Sequence, residues 1–343
     1  MNVLTNLAAV VRGFDRYQQR HAWLAFPVAV LRKYDDDQAG SLAALLAYYA
    51  FIAIFPFLLI LVTVLGWLLR DDPELQQRVL DSAVIDFPVI GAQLQENVTS
   101  LDRTGAGLVI GFAIALLGLR GVAHTAQDAL NKLWGVPRVH RPGFPMNIVR
   151  SMGLILLLGL GVLGTAALSG VGGGGGALGT GSRIIAYAAS FVLTVGLVVV
   201  MFRIATSGAV PTRRILPMAI ATGLVYQVFL AVGTILVRVY LSHASSVYGV
   251  FGIVLGLITW LYVQASVTLH LIEADIVRVK HLWPRALTQP PITEGDERAY
   301  RSYVEAEVRR PEQDVDVTFN GAETGARATE AASDATSTPR PRS

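Results

Sequence analysis

The sequence predicts an all-α protein, a polytopic membrane bundle of six transmembrane helices with both termini cytoplasmic. Three observations predict it. Six long stretches carry no Asp, Glu, Lys or Arg: Ser41–Leu69, Gly105–Leu119, Ser151–Ser169, Ile184–Phe202, Ile215–Val237 and Ala244–Ile272. The connections between them alternate in Lys and Arg content. Apolar residues make up 53% of the chain and charged residues 15%, below the usual quarter of a soluble domain.

The lengths fit the bilayer. A helix rises ~1.5 Å per residue, so ~20 apolar residues cross a ~30 Å hydrocarbon core. The second stretch reaches that length once Arg120 at its end snorkels to the headgroups. The basic residues set the orientation. Arg12, Arg16, Arg20, Arg32 and Lys33 precede the first span, and Lys132, Arg138, Arg141 and Arg150 follow the second. Arg203, Arg213 and Arg214 follow the fourth, and Arg278, Lys280 and Arg285 the sixth. The intervening connections hold only Arg70, Arg78 and Arg103, then Arg183, then Arg238. Lys and Arg mark the cytoplasmic side, which predicts an even number of spans. The net charge of +3 is read as this topology, and nucleic acid is not an expected partner.

Residues 1–40 form an expected cytoplasmic amphipathic segment. Leu4, Leu7, Val11 and Phe14 recur at helical spacing, with Arg12, Arg16 and Gln19 elsewhere. Two readings stand: a helix lying in the membrane interface, or a helix packed on the cytoplasmic ends of the bundle. Trp23 and Phe26 suit headgroup depth. Pro27 is expected to start or break a helix, and Asp35–Asp37 to be a solvated helix start. No cleavable signal peptide is expected, since residues 1–20 lack an apolar core.

Residues 41–282 form the expected six-span domain. Its first outer connection, Arg70–Thr104, is acidic, and Asp72-Pro73 there reads as an N-cap with Pro at the first helical position. Gly170–Gly181 reads as a flexible outer turn; the Lys that a phosphate loop needs is missing. Residues 283–343 read as a mostly disordered cytoplasmic tail, with one exposed helix over Thr293–Arg310 started by a capping box of Thr293 and Asp296.

Polar residues inside spans are expensive and therefore mark candidate sites. Arg120, His124 and Asp128 follow at four-residue spacing, with Asn131 three later. The sixth span ends with Glu273 and Asp275. Arg120, His124, Asp128, Asn131 and Glu273 are the candidate lining of a polar cavity. The alternative is a set of salt-bridged helix ends, Arg120 with Asp128 and Arg278 or Lys280 with the two acids. Pro56 and Pro217 are candidate helix kinks. No catalytic, cofactor or metal constellation is visible: the histidines are scattered, and the chain has no cysteine.

Certain segments resemble a known family. Ala43–Tyr49 followed by Phe55-Pro56, Ala129-Leu130-Asn131 with Leu133-Trp134, and Tyr248-Gly249, Trp260-Leu261-Tyr262 and Glu273 in order resemble the YihY/BrkB-type membrane proteins, the YhjD-like envelope branch in particular. The resemblance covers about residues 20–282. Two positions depart from it: Leu271-Ile272 stands where the family commonly has Gly-Ala, and Pro217-Met218 where it has Pro-Gly. The resemblance implies a six-span bacterial inner-membrane protein connected with envelope integrity and with export of a lipid or amphiphile. The alternative is a non-transporting scaffold for envelope proteins. Membrane lipids are the expected partners in the first case. An old family label, ribonuclease BN, finds no support in these residues, because hydrolysis of RNA needs a metal cluster or an acid–base pair.

Overall fold

The computed structural model describes residues 2–68, 105–173, 180–207, 212–243, 249–288 and 292–319. The acidic connection around Asp72-Pro73, residues 174–179 of the glycine turn and the tail from 320 lie outside the described residues. The described part is helical throughout, without a strand. In chain order the helices are α1 (Asn2–Arg20), α2 (Ala22–Asp36), α3 (Ala39–Leu68), α4 (Gly105–Leu133), α5 (Met146–Gly173), α6 (Thr180–Ala205), α7 (Thr212–His243), α8 (Gly249–Lys280) and α9 (Glu294–Ala306).

The described part of each uncharged stretch falls on one helix, α3 to α8. Among the described residues, three segments are long and apolar enough to cross a membrane: Met146–Thr165, Ala188–Ala205 and Val254–Lys280. Ala22–Asp36 and Ala39–Ile54 pass the same test as a pair, bent by 64° at their junction. The outer faces fit a lipid solvent. Val149, Met152, Leu156 and Leu160 of α5 are exposed at helical spacing, as are Leu216, Ile220, Leu224 and Val228 of α7. In water such stripes would be a liability; in hydrocarbon they cost nothing.

Small residues set the closest helix crossings. α3 packs along α4 and α8, and α6 packs along α5 and α7. A Cβ on Gly121 of α4 would come within 2.6 Å of the Tyr49 ring of α3, so only glycine permits that approach. Gly223 of α7 admits Val195 of α6 in the same way.

The buried core lies at one end of the bundle. It joins Ala29 and Val30 of α2, Leu133 and Trp134 at the end of α4, Phe202 of α6, Ile215 and Met218 of α7, Ile272, Ile276 and Val277 of α8, and Ala299 of α9. Two helices stop there with the same device. At the end of α4, Gly135 (φ 62°) lets Val136 N–H donate to Asn131 O (2.8 Å) and Gly135 N–H to Lys132 O (2.9 Å). This is a Schellman stop. At the end of α8, His281 takes the left-handed conformation (φ 52°) and Leu282 N–H donates to Val277 O (3.0 Å).

Two expectations need correction. Pro27 neither starts nor breaks a helix: α2 runs through it, at the cost of one backbone hydrogen bond near its start. The sharp bend comes instead at Asp37–Gln38, where Gln38 is left-handed (φ 53°). The candidate kinks Pro217 and Pro56 lie inside α7 and α3 respectively. Lastly, the chain from 283 is not a loose tail as far as 319. Residues 283–288 and α9 pack onto α1, α2 and the α4–α5 connection and cap this end of the bundle. Arg138 pairs with Glu307 (3.0 Å), Val139 N–H donates to Val308 O (3.1 Å), and Phe319 lies against the Tyr300 ring.

Candidate functional site

The bend between α2 and α3 brings charge into the core. Lys33 sits one turn before the break and Asp37 at it, spaced so that their side chains meet on one face. Both face α8. Lys33 Nζ lies 3.0 Å from Glu273 Oε2, contacts the Asp37 carboxylate and donates to Leu133 O (3.0 Å) at the end of α4. Glu273 is 0% and Lys33 1% exposed. One ammonium thus faces two carboxylates, away from water. Neither Glu273 oxygen accepts a hydrogen bond of good geometry among the described residues. Isolated buried ions cost several kcal/mol each, so this cluster is held together by its own pairing and by the helices around it. Next to it, Tyr34 of α2 stacks on His270 of α8 (ring centroids 3.7 Å apart) and shares a hydrogen bond with Ser266 (2.8 Å). Lys280 Nζ donates to Trp134 O (2.7 Å).

The five cavity candidates take different places. Glu273 belongs to this cluster; its partner is Lys33, neither Arg278 nor Lys280. Arg278 pairs with Asp275 on its own helix and donates to Arg214 O (3.1 Å) of α7. Asn131 is buried and ties α4 to the end of α6: its amide donates to Gln127 O (2.8 Å) and Ala205 O (3.3 Å), and its carbonyl accepts from Ser207 N–H (2.8 Å). His124 and Asp128 pair with each other (3.1 Å), and their side chains are 51% and 58% exposed. Asp128 therefore pairs with His124 and not with Arg120, which is half-buried in the same helix. The stripe splits because Asn131 lies against the end of α6 and is buried, whereas His124 and Asp128 stand on the exposed side of α4. Among the described residues no group of three His, Asp or Glu could hold a metal ion.

Sequence reasoning missed Lys33 and Asp37. Lys33 reads in the sequence as a topological charge and Asp35–Asp37 as a solvated helix start, yet Lys33 and Asp37 are buried. The four-residue spacing of Lys33 and Asp37 was the available signal. It also missed a second cluster in the cap. Arg285 reaches Asp296 through Nε (2.5 Å) and Asp36 through Nη2 (2.8 Å). Asp296 also accepts from Ala286 N–H (3.0 Å), Thr293 N–H (3.0 Å) and Thr293 Oγ1 (2.8 Å), completing the expected capping box. Burial opposes the Asp296 charge, but these donors outweigh it and hold its carboxyl below the ordinary range. Asp15 of α1 behaves alike: burial is overcome by Leu287 N–H, Gln18 and both donors of Thr288, and its carboxyl is held well below the usual range. Burial likewise opposes the Arg285 charge, and Asp296, Tyr303 and Asp36 raise it above its ordinary value.

Comparison with known proteins places this architecture. A UPF0761 membrane protein of Alcanivorax borkumensis is 24% identical over 270 residues, covering 75% of this chain and 62% of the relative. The chain thus spans less than two thirds of that relative's length. No solved structure matches. The family described as virulence factor BrkB matches residues 30–279, a range that contains Lys33, Asp37 and Glu273 and stops short of Arg285. With most of its length inside that match, including the bend at Asp37–Gln38 and the whole charged cluster, the chain belongs to the BrkB virulence factor family.

Proposed function

We propose that this protein crosses the bacterial plasma membrane six times, with both termini cytoplasmic, and supports envelope integrity by moving a lipid or amphiphile between leaflets. The observation that carries this reading is the buried cluster of Lys33, Asp37 and Glu273. Buried ionic groups in a membrane bundle are retained where their charge is used. This cluster lies where a broken helix pair meets α8, an arrangement able to change its packing when one partner gains or loses charge. The cytoplasmic placement rests on the Lys and Arg of the connections. The exposed His124–Asp128 pair and Arg120 line the flank of α4 available to a polar headgroup. The protein acts without catalysis or a cofactor in this reading, and transport is passive or ion-coupled.

The test is translocation of labelled phospholipid in reconstituted vesicles, read with an outer-leaflet quencher. Wild type should exchange lipid faster than protein-free vesicles, and Glu273→Gln should slow that exchange several-fold. Exchange no faster than protein-free vesicles, across several headgroups, would sink the transporter reading and favour a scaffold that binds envelope proteins.

A further inference from the structure

α1 presents its faces in an unusual order. The face turned to the protein is polar. Asp15 and Gln18 are buried, Asp15 under the backbone of Leu287 and Thr288, and Gln18 donating to Arg285 O (2.7 Å). The apolar face is outside. Val10, Phe14 and Tyr17, at i, i+4 and i+7, are 71%, 47% and 51% exposed, and Trp23 just beyond is 69% exposed. Arg12, Arg16 and Arg20 form an exposed basic stripe beside it. A helix held by its apolar face could hide this stripe by rolling. α1 cannot, because rolling would strip Asp15 and Gln18 of buried partners, at a cost greater than that of an ordinary surface contact.

We propose that α1 docks on the bilayer surface, with Val10, Phe14 and Tyr17 at the boundary of headgroups and acyl chains and the arginines on anionic lipid. Two observations select lipid as the occupant. Charge is complementary, since three arginines border the apolar stripe and Asp15, the one acid in the segment 10–20, is turned away into the protein. Position is the second: α1 leads at His21 directly into α2, the first arm of the bent pair able to enter a membrane. Phenyl, phenol and indole rings suit the interface, where one end is apolar and the other wet. The proposal rests on the six-span reading only in naming the cytoplasmic leaflet.

The absence of cysteine makes the test direct. Single-cysteine variants Val10→Cys, Phe14→Cys and Arg16→Cys of the full chain are labelled with bimane and reconstituted in phosphatidylcholine–phosphatidylglycerol vesicles. Lipids brominated near the glycerol are the quenchers. Quenching at 10 and 14 is expected to exceed that at 16 at least twofold, and to fall when phosphatidylglycerol is omitted. Adding Tyr17→Glu should reduce quenching at 10 while leaving the fold intact by circular dichroism. Equal, weak quenching at all three positions would overturn the proposal. So would efficient disulfide formation between copies at position 14, which would assign the stripe to a second chain. Neither readout involves transport, so failure here leaves the translocation reading standing, and the converse.

Discussion

Two buried charge clusters lie within a few turns of one another, and they are built on different terms. In the cap, Arg285, Asp296 and Asp15 sit among donors from neighbouring backbone: Asp296 receives two amide N–H groups, a hydroxyl and a guanidinium. In the bundle, Glu273 has Lys33 at 3.0 Å and no hydrogen bond of good geometry among the described residues. The first arrangement fixes its charges with dipoles that cannot leave without unfolding the segment. The second depends on one ammonium carried by another helix, so it responds to any change in the distance between α2 and α8. A network with most of its groups satisfied, as here for all but Arg285 Nη1 and Gln18 Oε1, rigidifies, whereas a sparsely bonded pair is sensitive.

The sharpest way to break this contrast is Lys33→Ala. It leaves Glu273 and Asp37 buried without a counter-ion, and a loss of about 3–5 kcal/mol is expected. Thermal unfolding in detergent should show it, and Lys33→Met with Glu273→Gln should recover much of the loss. Recovery would mark the bundle cluster as a sensitive pair, not a structural necessity. Asp296→Ala comes next. It removes the capping box and the Arg285 partner and should cost roughly 2–3 kcal/mol of local stability. Limited proteolysis should then cut between 282 and 306 while the bundle stays resistant. If the bundle unfolds together with the cap, the two regions are one cooperative unit.

Acidification should act on the cap in a milder, graded way. Asp15 and Asp296 have carboxyls held below the ordinary value near 4. A depressed folded value means that their contribution is complete above about pH 4 and is lost as pH falls below it. Hydrogen exchange of the Leu287 and Thr288 amides should therefore rise only on that acidic side. The smallest effect expected is for Asp128→Asn on α4. Its pair with His124 is largely exposed, and a change within about 0.5 kcal/mol is expected by thermal unfolding.

What the sequence made legible follows from local physics. Apolar run length marked the long helices α3 to α8, because a long uninterrupted apolar run favours a helix whatever the tertiary contacts. The Thr293–Asp296 box marked the start of α9, because its bonds close within one turn. The partner of Glu273 was not legible, because Lys33 lies at the other end of the folded region and reads as one more topological charge. The docking of 283–288 was hidden for a related reason. Its bonds use main-chain groups, such as Leu287 N–H to Asp15 and Ala286 O from Arg32, which every residue possesses. The elbow at Gln38 was not legible because no proline or glycine marks it: the chain turns at a left-handed glutamine.

The cap joins the beginning of the described chain to its far end. Asp15, Gln18, Arg32 and Asp36 each find a long-range partner among Arg285 to Thr288. During synthesis these four side chains are made first and wait while every intervening helix emerges. Closing so long a loop earns its contacts late, when the rest is already in place. A ribosome that stops before Arg285, or a span left outside the bilayer, leaves an unclosed lock with a bare carboxylate at Asp15. The contacts of the cap are therefore among the last that a growing chain can make.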